Sequence, residues 1–224
     1  MVKNPSDLHL DILSQPTRKA LEELSTHPWL EESDWYLAGG TALALQANHR
    51  ISYDLDFFTS KADFDNTQLL NYFANNKNWE TTVNKKGTIY GSLFEAKVSF
   101  IAYPFFVPKQ EFLHYGAIKL LSAVDIAVMK VIAISQRGRK RDFYDLFWCA
   151  QHLTKLEEII KKLPVQYPNL VHNYNHILTS LVYFVDAESD PKPEVLFATE
   201  WGEIKAYFTA EVPRITGTVL ELNS

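Results

Sequence analysis

Cysteine is almost absent from this 224-residue chain: Cys149 is the single one, which rules out an internal disulfide framework and a cysteine-built zinc ribbon. A lone thiol fits a reducing compartment, so a cytoplasmic protein is expected. No apolar run approaches the roughly 20 residues that would span a bilayer. The opening "MVKNPSDLHLDILSQPTRKA" is polar and mixed, unlike a signal peptide or a lipidation site. An excess of basic charge is missing too. The formal charge of −5 and a pI near 5.8 argue against a protein that coats itself in nucleic acid, though a local basic site is compatible with them. Repeats and low-complexity tracts are absent. What remains is ordinary for a globular protein, with 46% apolar and 22% charged residues and enough chain for one large domain or two small ones.

Composition changes near residue 121. Before it, β-branched and aromatic runs alternate with helical patterns. "PSDLHLDILSQPTRKALEEL" predicts a helix broken near Pro16, "DWYLAGG" a strand running into a turn, and "TALALQAN" a short helix rising from it. "SYDLDFFT" predicts a strand, and "DFDNTQLLNYFANN" a helix capped by Asp63 or Asp65. The stretch from Asn78 to Phe106 predicts two or three antiparallel strands, with a hairpin turn at Lys86-Gly87. After Leu121, apolar residues recur at three- and four-residue spacing through five segments, interrupted by a proline-containing loop, "DAESDPKPEVL". The expected organisation is an α/β core over 1–120 and a helical region over 121–224 that completes a cleft.

Two features carry chemistry. Gly39 and Gly40 end a buried-type strand and open a helix, where glycine permits close approach of a phosphate and the helix N-terminus offers N–H groups and positive dipole. Thr41 adds a hydroxyl there or caps the helix. Beyond Gly40, after thirteen intervening residues, come Asp54 and Asp56, separated by one leucine. In a strand, residues two apart share a face, so the carboxylates repel each other unless a cation lies between them. A glycine pair alone is often only a turn, and Asp-x-Asp alone often only a half-exposed strand. In this order, one element would hold phosphates while the next supplies oxygen ligands for hard divalent ions such as Mg²⁺, the layout of phosphoryl-group chemistry on metal ions.

The string "LAGGTALALQ…HRISYDLDFF" resembles the nucleotidyltransferase signature shared with polymerase β. It is similar above all to the AbiEii/AbiGii branch, the toxin-type nucleotidyltransferases of bacterial toxin–antitoxin and phage-defence systems. "DIAVMKVIAISQRGRKRDFYDLFW" is similar to that branch's helical motif, in which a lysine precedes Arg-Asp-x-x-Asp-Leu. The resemblance implies an α+β fold, a mixed sheet with flanking helices followed by a C-terminal helical region. It implies transfer of NMP from an NTP, with Mg²⁺, to RNA such as a tRNA 3′ end or to a protein, and an antitoxin as a further partner. Asp54 and Asp56 would be the metal ligands, and Gly39, Gly40 and Thr41 the triphosphate-binding turn. Lys130 would reach the nucleotide's phosphates, Asp142 would act as base or orienter, and Arg141 would assist binding. The residues themselves leave other readings open: Lys130 as a snorkelling core lysine, and Asp142 and Asp145 as partners of Arg139 or Arg141.

One departure bears on turnover. Two-metal enzymes of this type use a third carboxylate on a neighbouring strand, and Ser99 stands at the expected place in "LFEAKVSFIAY". Glu95, on the same face by strand parity, would lie about 13 Å away. A binding module that has lost turnover and a small-molecule nucleotidyltransferase of the antibiotic-modifying kind are therefore the alternatives. The pair His172 and His176 has zinc-compatible spacing without an accompanying acid or thiol, so an ordinary helix surface is expected. Cys149 is expected to be buried and inert, and the basic run Arg137–Arg141 could draw in a triphosphate or an RNA backbone.

Overall fold

The computed structural model describes residues 7–221, which divide into two compact units: residues up to Phe106 together with Gln110–Ser122, and Val107–Lys109 together with Ala123 onward. The first unit is built on a seven-stranded mixed sheet in the order β3-β4-β5-β2-β1-β7-β6. Its strands are β1 (Tyr36–Ala38), β2 (Leu55–Thr59), β3 (Trp79–Lys85), β4 (Thr88–Leu93), β5 (Ala96–Ala102), β6 (Leu113–Tyr115) and β7 (Ile118–Leu120). The helices of this unit are α1 (Gln15–Leu24), α2 (Pro28–Glu32), α3 (Gly39–Ala47) and α4 (Asn66–Asn71).

The break expected near Pro16 is there: a 3-10 turn at Leu10–Ile12 ends ahead of it, and Pro16 opens the helix that follows. It sits in the first turn of α1, where its missing N–H costs nothing, and Ser14 caps the helix by accepting from the Thr17 N–H. Asp65 caps α4, accepting from the amides of Thr67 and Gln68. Hairpin β3–β4 turns at Lys86-Gly87, with Gly87 at φ +68°. The following hairpin turns at Phe94 and Glu95, both at positive φ (50° and 70°). Glu95 thus lies in the turn, outside β5, and the strand-parity argument that put it on the Ser99 face does not apply. Strands β6 and β7 form a short hairpin around Gly116, in a stretch where the sequence pattern predicts no element.

Aromatic packing fixes the sheet's buried face. Phe57 stacks on Phe100 at 5.1 Å between ring centroids, Trp35 meets Phe100 edge-on at 5.2 Å, and Phe73 stacks on Trp79 at 4.1 Å. Such pairs add about 0.5–1.5 kcal/mol each beyond the area they bury. In β2 the alternation is strict: Leu55, Phe57 and Thr59 are buried, whereas Asp56 and Phe58 on the other face are half-buried.

The second unit is helical: α5 (Ala123–Arg137), α6 (Lys140–His152), α7 (Leu156–Ile160), α8 (Leu163–Gln166), α9 (Tyr174–Leu181), α10 (Val185–Glu188) and α11 (Trp201–Leu220). The segment 107–109 is tied into it by hydrogen bonds from Val107 N–H to the Gln166 carbonyl and from Lys109 N–H to Asp125 Oδ2. Among the described residues, no helix is long and apolar enough to cross a membrane.

Candidate active site

The glycine pair and the aspartates meet because of the sheet's topology. Strand β1 ends at Ala38, α3 leaves from it, and the chain returns through β2 antiparallel to β1, so that Ala38 and Asp56 are register partners. The spacing between the two motif halves is therefore the length of one helix plus its return loop. The helix forms from the good formers of "TALALQA" and stops at Asn48, which adopts the left-handed conformation.

Each glycine is required by a residue of the returning segment. Gly39 has φ +69°, and a Cβ built there would lie 3.2 Å from Asp56 Oδ2. Gly40 has no unusual torsion, yet a Cβ there would lie 2.2 Å from Arg50 Nη2. Thr41, buried at the first turn of α3, donates its hydroxyl to the Asp54 carbonyl and lies 2.8 Å from Ser52 Oγ. Its role is to pin the loop before β2 to the helix start. Asp54 immediately precedes β2 and is half-buried, like Asp56. The Asp56 carboxylate lies against the start of α3, where the helix dipole favours negative charge.

Ser99 is the register partner of Asp56 across the parallel β2–β5 pair, and its hydroxyl donates to Asp56 Oδ1 at 2.7 Å. Among the described residues, no group of three or more His, Cys, Asp or Glu side chains converges to hold a metal. The donor set does fit Mg²⁺ in the manner usual for that ion, through one or two carboxylates with substrate phosphates completing the shell. A cleft of about 500 Å³ in this unit lies elsewhere, lined by Trp29, Trp35, Phe64, Gln68 and Tyr72 and by none of the motif residues.

In the second unit, the sequence motif becomes a buried ion cluster. Lys130 Nζ lies 2.6 Å from Asp142 Oδ1 and 2.6 Å from Asp145 Oδ2, with the lysine side chain 6% exposed and both carboxylates fully buried. Arg137 adds a fork onto Asp142, from Nε to Oδ2 at 3.0 Å and from Nη2 to Oδ1 at 3.3 Å. Burial pushes the Asp142 carboxyl up, but Lys130 and then Arg137 override it and hold it below the usual carboxylate range. Lys130 is accordingly not a snorkelling lysine, and neither Arg139 nor Arg141 supplies the partner of Asp142. Asp145, one turn on, shares the lysine as an equal.

Most of the basic run is committed within this unit. Arg139 pairs with Asp190 at 2.8 Å, and the buried Lys140 donates to the carbonyls of Glu188 and Asp190 at 3.2 and 2.6 Å. Arg141 is exposed. His172 and His176 bond to different carbonyls, those of Tyr167 and Ser135, and do not form a metal pair. Cys149 is fully buried and its thiol is pushed up by that burial, which leaves it un-nucleophilic. Arg50 and Ser52 were given no role from sequence, although both stand inside the motif string. A lone arginine four residues ahead of Asp54 was the available signal.

A glycine turn opens a helix, and an aspartate strand is laid antiparallel beside it in a mixed sheet. Comparison with known proteins gives this frame its class, that of a nucleotidyltransferase. Residues 19–85 and 93–216 match the family described as "Nucleotidyl transferase AbiEii toxin, Type IV TA system". An uncharacterised protein of Aquifex aeolicus is 34% identical over 203 residues, covering 89% of this chain and 96% of that protein. MenT4, a nucleotidyltransferase toxin from Mycobacterium tuberculosis H37Rv, superposes with a TM-score of 0.56 at 15% identity, over 90% of this chain and 84% of its own, which is a likeness of fold. The chain belongs to the AbiEii nucleotidyltransferase toxin family.

Proposed function

We propose that this protein transfers NMP from an NTP to a hydroxyl acceptor, with Asp54 and Asp56 as metal-binding carboxylates and Gly39–Thr41 as the turn that receives the triphosphate. The observation that carries this reading is Asp56 Oδ2 at 3.2 Å from the position of a Cβ on Gly39, which sets a half-buried carboxylate beside the first turn of α3. Divalent magnesium, when bound, would screen the phosphates and polarise the reacting phosphorus. The chain's own residues bind and orient: the turn receives phosphate oxygens through its N–H groups, and Ser99 fixes the rotamer of Asp56. The acceptor oxygen bonds to the α-phosphorus as the bond to pyrophosphate breaks, and the acceptor's proton passes to solvent.

Lys130 and Asp142 take the roles of phosphate contact and orienter. An ammonium has three donors, and Asp142 and Asp145 engage it at two oxygens. A carboxyl held below its usual range is a weak base, so Asp142 acts by positioning Lys130 and not by accepting the acceptor's proton. The acceptor is RNA, such as a tRNA 3′ end, and an antitoxin encoded beside the toxin restrains the outcome.

Transfer of label from each NTP onto cell extract, with and without Mg²⁺, tests the reading. Mg²⁺-dependent label on RNA is the expected result. Label on protein would replace the acceptor, and label on small molecules would favour the antibiotic-modifying type. NTP binding without any transfer would make the protein a binding module, the reading that Ser99 in place of an acid favours.

A further inference from the structure

The cleft of about 500 Å³ in the first unit has no part in the nucleotidyltransferase reading. It sits at the far end of the β1–β2 pair from the glycine turn. Ala38 pairs with Asp56 at one end and Tyr36 with Phe58 at the other, and the cleft is lined by the next residues out, Trp35 and Thr59. Three steps along β2 separate Thr59 from Asp56, about 10 Å at the usual strand rise. Helix α2 supplies Trp29 and Glu32 to the lining, and the chain on either side of α4 supplies Phe64 and Tyr72.

Two aromatic pairs make its apolar surface. Trp29 lies parallel to Tyr72 at 4.4 Å between ring centroids, Trp35 meets Phe64 edge-on at 4.9 Å, and both tryptophans contact Phe100. Tyr72 nonetheless stays 43% exposed, a large ring left at the surface. Four carboxylates, Glu32, Asp34, Asp63 and Asp65, share this lining with one cation, Lys61. Asp65 is occupied in capping α4, and Asp63 meets Lys86 only at 3.6 Å. Glu32 has no partner among the described residues. Asp34 takes the Lys61 ammonium at 2.7 Å, with both side chains largely exposed.

These acids are not set for a metal ion, since among the described residues no three of them converge on one point. Aromatic rings beside carboxylates attract an organic cation instead, through the ring quadrupole as well as through charge. The same negative charge repels phosphate, which argues against an RNA backbone in this cleft. Lys61 displays the chemistry within the chain itself, an alkylammonium resting on the rim. An exposed pair of that kind is weak, so an incoming cation can displace it. A small free cation would leave the Tyr72 ring bare. A protein segment brings the methylene stem of its basic side chain and its neighbouring residues to cover that ring, as an anchor residue does at an interface.

We propose that this cleft is a docking site for a basic segment of a partner protein, whose arginine or lysine side chain lies against the Trp29–Tyr72 stack with its charge on Glu32 and Asp34. The site is separate from the Asp54–Asp56 site and stands whether or not NMP transfer does.

Calorimetric titration of the full chain with acetyl-Gly-Arg-Arg-Gly amide tests it, against the same peptide carrying citrulline for arginine and against spermidine. The arginine peptide should bind roughly tenfold more tightly than the citrulline form, which keeps the shape and loses the charge. Its affinity should fall as salt rises. Glu32→Gln/Asp34→Asn should weaken it by roughly tenfold, and Tyr72→Ala by roughly fivefold, the worth of an exposed cation–π contact. Lys61→Met should act the other way and tighten binding, because it removes the competing ammonium from Asp34. NTP affinity should stay at the wild-type value in every variant, since the cleft and the turn lie at opposite ends of the strands. Should Tyr72→Ala fail to fold in a thermal melt, the carboxylate and Lys61 variants, all at exposed positions, carry the test. Equal binding of the two peptides, no binding of the arginine peptide, or weaker binding in Lys61→Met would overturn the inference. Spermidine binding more tightly than the peptide would overturn a protein segment as the occupant.

Discussion

Two pairs of aspartates, one in each unit, are handled in opposite ways. Asp54 and Asp56 are half-buried at the start of a strand, against a helix N-terminus and a serine hydroxyl. Asp142 and Asp145 are fully buried on one face of α6 and grip Lys130 between them. The first pair keeps some access to solvent; the second has given it up and holds one ammonium at 2.6 Å from each carboxylate. The same residue type is thus left reachable at one place and locked into an ion cluster at the other.

The largest effect should come from emptying the buried cluster. Lys130→Met leaves two carboxylates buried together without the ammonium they share, and breaking a buried pair costs about 3–5 kcal/mol. Urea unfolding followed by tryptophan fluorescence would measure it, and a loss under about 1 kcal/mol would erase the contrast between the pairs. The pH dependence carries a sign. Asp142 has a folded value below its unfolded one, so its stabilisation is complete above the unfolded value near pH 4 and fades as pH falls through the depressed folded value. In Lys130→Met that advantage is gone, so the gap between variant and wild type should narrow as pH is lowered below about 4.

A middle-sized effect is expected at the turn. Gly40→Ala forces Arg50 out of a buried position and should cost about 1–3 kcal/mol of stability, the usual penalty of overpacking, with weaker NTP binding. A thermal melt unchanged from wild type would mean that the arginine moves freely and that the turn is looser than its geometry implies.

The smallest effect belongs to Ser99. Ser99→Ala removes one hydrogen bond to Asp56 Oδ1 and should change stability by only about 0.5–1.5 kcal/mol, while shifting metal affinity through the freed rotamer of Asp56. A loss above about 3 kcal/mol would mark Ser99 as part of the folding core and not as the substitute for an acid.

The same contrast explains how much was legible in the sequence. The strand-turn-helix at Gly39 and the alternation of β2 follow from local pattern, so the frame of the first unit was readable. The second motif's helices were readable as well, from three- and four-residue spacing. The partner of Asp142 was not, because Arg139 and Arg141 are nearer in sequence than Lys130, and only the packing of α5 on α6 decides among them. Arg50 escaped for a related reason: an arginine in a loop reads as solvated until the space above Gly40 shows where it lies. The interruption near Pro16 was legible as well, since the 3-10 turn Leu10–Ile12 stops short of it and α1 starts afresh at Gln15. The hairpin of β6 and β7 is two three-residue strands, too short for a period of two to register.

The central claim is that Asp54 and Asp56 are the pair that carries the metal and the nucleotide. It is tested most directly by calorimetric titration of NTP with Mg²⁺ into wild type and the Asp54→Asn/Asp56→Asn double variant. The expected result is loss of Mg²⁺-dependent NTP binding in a variant that still folds, as a cooperative thermal melt would show. Unchanged NTP affinity in the double variant would contradict the claim.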